Sequence, residues 1–301
     1  MLWMVQCFLQ ILGTLTLILL LGIVKKIVFP KKEDKVVILR KPDWKTDIVY
    51  LCQFPLCPSV RSISPFAIKL ETWLRVAGIK YECIYTKAFH PKTGQIPYIE
   101  LNGEQYADSN LIMEMLTKKF NVTMDNSLTA EQKAVNHAAT SMVENFTAQT
   151  GFHYRYGYHM KEFLETLKLG EYYGSGKSIN MWGFFQPYMT RLRNFMSGLG
   201  RHENSVVWEM AGKDFMALSI LLGNKEYFYG DQPTSVDCML FGHLAQFLFI
   251  NIGFPQKTFL EDHCQNLVSL VERMKSKYWT DWDETIQHSK TQIEKSKVLQ
   301  N

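Results

Sequence analysis

Short apolar repeats occupy the first half of the chain and long ones the second. Ile48, Val49, Tyr50, Leu51 and Cys52 form a nearly all-apolar run, as in a strand buried on both faces. A Pro-containing loop, Phe54-Pro55-Leu56-Cys57-Pro58, follows. Ser64-Pro65 then opens a helix, with serine as N-cap and proline at the first helical position. Phe66, Leu70, Trp73, Leu74 and Ala77 make its apolar stripe, and Gly78 suits a left-handed stop. Ile79, Tyr81, Cys83 and Tyr85 alternate with Lys80, Glu82 and Ile84, the pattern of a half-buried strand. Asn102-Gly103 between two short strand-like runs predicts a hairpin. Asp108-Ser109-Asn110 starts a second helix, with Leu111, Ile112, Met115, Leu116 and Phe120 as its apolar positions. The order is β-α-β, then a hairpin, then α.

From about Leu128 strand signals fade. Helical periodicity predicts amphipathic segments over 134–148, 158–169, 182–199, 206–222 and 260–274. Between the last two, a Gly230 turn leads to Thr234, whose hydroxyl can accept from the amide three residues on. Asp237 can reach back to the Thr234 amide, a capping box with Asp in place of Glu. Leu240, Leu244, Phe247 and Leu248 follow at helical spacing, so this capped helix buries an apolar face.

The amino terminus has a different pattern. Residues 2–24 contain no charge and are rich in Leu and Ile. As a helix they would reach ~34 Å, enough for a hydrocarbon core of ~30 Å. A cleaved signal peptide fits less well, because no Lys or Arg precedes the run and no small-x-small site follows it. Lys25, Lys26, Lys31, Lys32 and Lys35 come directly after. A single-pass anchor with the remaining chain on the cytoplasmic side is therefore expected. The sequons at Asn121 and Asn145 would then go unused. Residues 25–46, charged and containing Pro30 and Pro42, read as a basic tether.

Composition adds limits. With 47% hydrophobic and 21% charged residues the chain is of globular type. A net charge of +4, without a basic-aromatic patch, argues against nucleic acid as a partner. Six scattered cysteines without C-x-x-C pairs suit reduced thiols in a cytosolic compartment. Cys52 and Cys57 alone make a weak soft-metal site, and no metal is assigned. The aromatic run 152–159 admits two readings, a pocket lining for an apolar ligand or packed core.

The turn, T-x-x-D cap and buried helix, together with the upstream β-α-β-β-β-α order, resemble the glutathione-transferase superfamily. The resemblance covers residues 47–283. It implies an α/β thioredoxin-like domain (47–120), a linker (121–133) and an all-α domain (134–285), preceded by one transmembrane helix (1–24) and followed by a polar tail (286–301). Residues 64–75, 94–100 and 277–283, the last reading Lys-Tyr-Trp-Thr-Asp-Trp-Asp, resemble one subgroup most. It comprises the failed-axon-connections and cadmium-responsive proteins and, more distantly, the metaxins.

The resemblance also implies site residues. Ile96-Pro97 falls where the superfamily holds a cis-proline against the cysteinyl part of glutathione. Asp108-Ser109 falls where an acidic or Gln residue and a Ser receive the γ-glutamyl end, although a plain N-cap explains the pair equally well. Ser64 falls where active relatives stabilise the thiolate, and it too doubles as a cap. Both cysteines of a C-P-x-C pattern are absent there, which argues against thiol-disulfide chemistry. Because no second activator is evident, the expectation is a membrane-anchored binding or adaptor protein, leaning away from enzyme activity. Its groove would engage glutathione or a protein partner, with no cofactor required, in cadmium stress or axonal development. An active glutathione transferase and a metaxin-like import or trafficking component are the alternatives. Homodimers are the oligomer the superfamily implies.

Overall fold

A computed structural model describes residues 38–90, 92–172, 177–284 and 286. The proposed anchor, residues 25–37 of the tether, and the tail from 287 lie outside these residues. Among the described residues no helix is long and apolar enough to cross a membrane.

Strand β1 (Val49–Gln53) is buried at every position, as its apolar run requires. Helix α1 (Pro65–Val76) returns the chain so that β2 (Tyr81–Tyr85) pairs parallel with β1. β3 (Tyr98–Leu101) pairs antiparallel with β1, and β4 (Glu104–Ala107) with β3, giving the order β2-β1-β3-β4. The hairpin turn has φ 51° at Asn102 and 86° at Gly103, the pair of positive values that a two-residue turn of this hand demands. Helix α2 (Ser109–Phe120) completes a thioredoxin-like half.

The second half is helical among the described residues: α3 (Ala130–Met142), α4 (Ala148–Phe152), α5 (Met160–Thr166), α6 (Leu169–Tyr172), α7 (Lys177–Ser197), α8 (Asn204–Leu222), α9 (Ser235–Phe249), α10 (Pro255–His263) and α11 (Gln265–Tyr278). Several boundaries differ from the sequence pattern: the expected 158–169 segment divides into α5 and α6, and α7 begins at Lys177 rather than at 182. Helical structure runs from Ala130 to Tyr158, because π-helical turns at Val143–Thr147 and His153–Tyr158 join α3 to α4 and extend it. Each π turn advances the register, so the apolar period departs from 3.6 and hides the continuity. The 260–274 pattern splits into α10 and α11 at Cys264, whose φ of −132° and ψ of 48° interrupt the helix.

Helix α9 organises the molecule. The capping box of Thr234 and Asp237 is formed. Asp237 accepts from the Thr234 amide and hydroxyl and from the Phe228 amide, each at 2.8 Å. Burial raises the Asp237 pKa, and these donors oppose the shift. Gly242 lets α9 touch α1 backbone to backbone: a Cβ there would lie 2.6 Å from the Lys69 amide nitrogen and 2.7 Å from the Pro65 carbonyl oxygen.

The last described residues clamp α1 from another side. Trp279 Nε1 donates to Thr72 Oγ1 at 3.0 Å, and Arg75 holds Asp281 through two bonds of 2.6 and 2.9 Å while lying 3.9 Å above the Trp279 ring. Buried Glu71 accepts from Arg61, Arg75, Tyr81 and Gln53. With α1 covered by the sheet, α9 and this clamp, its charges survive burial only because they are paired.

Candidate functional site

Pro65 at N1 makes Ser64 the α1 cap, and its hydroxyl oxygen accepts from the Ala67 amide at 3.3 Å. The hydroxyl proton remains available to a ligand. The Ile96–Pro97 bond is cis, at the entry to β3. Asp108 caps α2 with φ 74°, a value uncommon outside glycine. It accepts from the Asn110 and Leu111 amides, both on Oδ1, leaving Oδ2 for a cationic group. Ser64, Ile96, Pro97, Asp108 and Ser109 all line one groove of about 600 Å³. A hollow of about 710 Å³ near the carboxyl end of α1 contains none of the expected site residues. Thr234 and Asp237 are not in the groove lining; they hold α9 instead.

The opposite wall comes from the helical half, through Phe152, Arg155, Tyr156 and Arg193. Arg155 is 2% exposed. Its guanidinium donates to the Gln246 amide oxygen at 2.9 Å, the Ile63 carbonyl at 3.2 Å and the Tyr156 hydroxyl at 2.8 Å. It also lies over the rings of Phe152, Tyr156 and Phe163. These partners are all neutral, so the positive charge keeps its field. One of its nitrogens bridges Ile63 and Tyr156, which holds the phenol beside the residue preceding Ser64. The Tyr156 oxygen accepts from Arg155, so its own proton can be donated into the groove. The aromatic run thus divides between both readings. Phe152 and Tyr156 line the groove, while His153 and Tyr154 are buried, His153 between Asn204 and Asn194.

Beneath Asp108 and Ser109 lies a network that the apolar pattern does not reveal. Lys69, wholly buried, donates to Ser109 Oγ at 3.2 Å, Asn110 Oδ1 at 2.6 Å and Glu144 Oε1 at 2.5 Å. Asn110 Nδ2 donates to the other Glu144 oxygen at 2.8 Å. Burial lowers the Lys69 pKa and Glu144 opposes the shift. A carboxylate arriving at Ser109 would meet a helix amino terminus, behind which the Lys69 ammonium is paired with Glu144. The sequence signal was available: Lys69 lies three residues after Phe66, on the stripe side of α1.

Cys52 and Cys57 are buried, and burial pushes both thiols up to about 12. Among the described residues no group of three or more His, Cys, Asp or Glu side chains is placed to hold a metal ion. At the Asn145 sequon the Thr147 hydroxyl is buried and bonded to Asp214 and the Met142 carbonyl.

Comparison with known proteins bears on the family and the fold. Residues 65–162 match the glutathione S-transferase N-terminal domain family and residues 211–274 the glutathione S-transferase C-terminal domain family. Failed axon connections of Drosophila melanogaster is 35% identical over 258 residues, which are 82% of this chain and 62% of that protein. The chain thus spans less than two thirds of that relative's length. An isoprene-epoxide–glutathione S-transferase of Rhodococcus is 27% identical, covering 73% of this chain and 94% of the enzyme. Mouse metaxin-2 is 21% identical, covering 72% of this chain and 82% of metaxin-2. Among solved structures, a beta-etherase from Sphingobium superposes with a TM-score of 0.53 at 14% identity, covering 80% of this chain and 98% of the etherase. That likeness concerns the fold alone. The chain belongs to the metaxin-related branch of the glutathione S-transferase superfamily, alongside failed axon connections.

Proposed function

We propose that the groove binds glutathione or a closely related γ-glutamyl thiol, and that the chain acts mainly as a tethered binding protein. The observation that carries this reading is the convergence of Ser64, Ile96–Pro97 and Asp108–Ser109 on one groove of about 600 Å³. The γ-glutamyl carboxylate would meet the Ser109 amide and hydroxyl with Lys69 behind them, and its ammonium would meet Asp108. The cysteinyl backbone would lie along Ile96–Pro97. The thiol would then face Ser64 at the amino end of α1, with Tyr156 and the Arg155 charge opposite. A helix terminus and an unneutralised guanidinium both favour a thiolate.

Ser64 already serves as a cap, so conjugation is expected to be slow. The apolar residues 2–24 would fix the groove to a membrane on its cytoplasmic side. An axonal or cadmium-stress role, or a metaxin-like one, would follow from what the bound state recruits there.

Retention of the full chain on immobilised glutathione tests the reading. Retention should be clear for the parent chain, and at least about tenfold weaker for Asp108→Ala and Ser109→Ala, each losing charge-assisted bonds worth about 1.5–3 kcal/mol. The same preparation should turn over a generic electrophile slowly. Equal retention of all three chains, or none for the parent, contradicts the proposal.

A further inference from the structure

Helix α7 turns a row of large apolar side chains outward. Met181, Phe184, Phe185, Tyr188, Met189, Leu192, Phe195 and Met196 are 54–71% exposed. They recur at intervals of three and four and so form one stripe. The other side is mixed, with Trp182 packed against the core and several polar residues. Asn194, 3% exposed, bonds His153 at 2.9 Å; Thr190 is 8% exposed; Arg191 donates to the Gly157 carbonyl at 2.8 Å. A helix that faces water ordinarily turns polar side chains toward it. A contiguous aromatic and methionine face of this length marks a binding surface.

Charge selects the occupant. From residue 172 to 202 the sequence has Lys177, Arg191, Arg193 and Arg201 but no Asp or Glu. Arg201 remains near the stripe, 5.3 Å from the Phe195 ring. Aromatic and apolar side chains on one face, in a stretch of sequence that holds cations and no acids between Glu171 and Glu203, match an anionic lipid surface better than a protein groove. The same chain also carries the uncharged segment 2–24, long enough to bring it to a bilayer.

We propose that α7 lies in the membrane interface, its apolar stripe seated among acyl chains and the neighbouring Arg201 among anionic headgroups. The seat would be shallow, ~5–10 Å below the headgroup boundary. This does not depend on glutathione occupying the groove.

The test uses full chain reconstituted in phosphatidylcholine vesicles, with and without phosphatidylserine. A phosphatidylcholine bearing a photoactivatable diazirine in its acyl chain serves as the probe. Adducts should map to residues 181–196, increase with phosphatidylserine, and be lost in the Phe185→Glu/Met189→Glu double variant. Both side chains face solvent, so the fold should persist, and adducts within 2–24 serve as the internal control. Labelling confined to 2–24 would overturn the proposal. Cross-linking of this face to a second copy, or to 2–24, would likewise overturn it by naming a different occupant.

Discussion

His243 sits in the interior with its ring edge-on to Phe66 at 5.1 Å and its Nε2 3.9 Å from Glu144 Oε1. Burial, aided by the nearby Lys69 ammonium, pushes its pKa down to about 3. An unfolded histidine titrates near ~6.5. As pH falls below that value the unfolded chain takes the proton first, and stability is lost from about pH 6.5 down toward pH 3. Urea unfolding of His243→Gln between about pH 7 and 5 should therefore show a shallower pH dependence than the parent. The difference should approach ~1.4 kcal/mol per pH unit, the limit for one proton. Identical slopes would mean that His243 is protonated in the fold. At this scale, legibility follows sequence distance. Thr234 and Asp237 are three residues apart, so the capping box could be read directly. Lys69 and Glu144 are 75 residues apart, and only the fold brings them together.

Among the elements, α9 and α1 decide whether the two halves hold their geometry. Gly242 supplies the close approach, and a methyl group there would press on α1 backbone rather than on a yielding side chain. Gly242→Ala should destabilise the chain by about 1–3 kcal/mol, despite alanine's better helix propensity. A denaturant midpoint equal to or above the parent's would show that the helices part freely. The clamp adds a second hold. Burial alone would raise the Asp281 pKa, but the hydrogen bonds and charge of Arg75, with Arg61, outweigh it and keep the carboxyl below its usual range. The strands, hairpin and caps of the first half were legible because Ser64-Pro65, Asn102-Gly103 and Asp108 act over a few residues. The π turns and the Cys264 break were not. No local cap or breaker in the sequence marks them.

For the whole molecule, the fold was legible as an order of elements and the expected groove residues as positions along it. Arg155 and Tyr156 were visible only as part of an aromatic run. Their role as the opposite wall arises when Arg155 reaches Ile63, 92 residues away. The groove consequently has polar groups from both halves, and neither half alone completes it. The most direct measurement is a structure of the full chain determined with glutathione. Glutathione should lie with its γ-glutamyl end at Asp108 and Ser109, its backbone along Ile96–Pro97, and its sulfur between Ser64 and Tyr156. Glutathione bound elsewhere, or an empty groove at millimolar concentration, would contradict the proposed function.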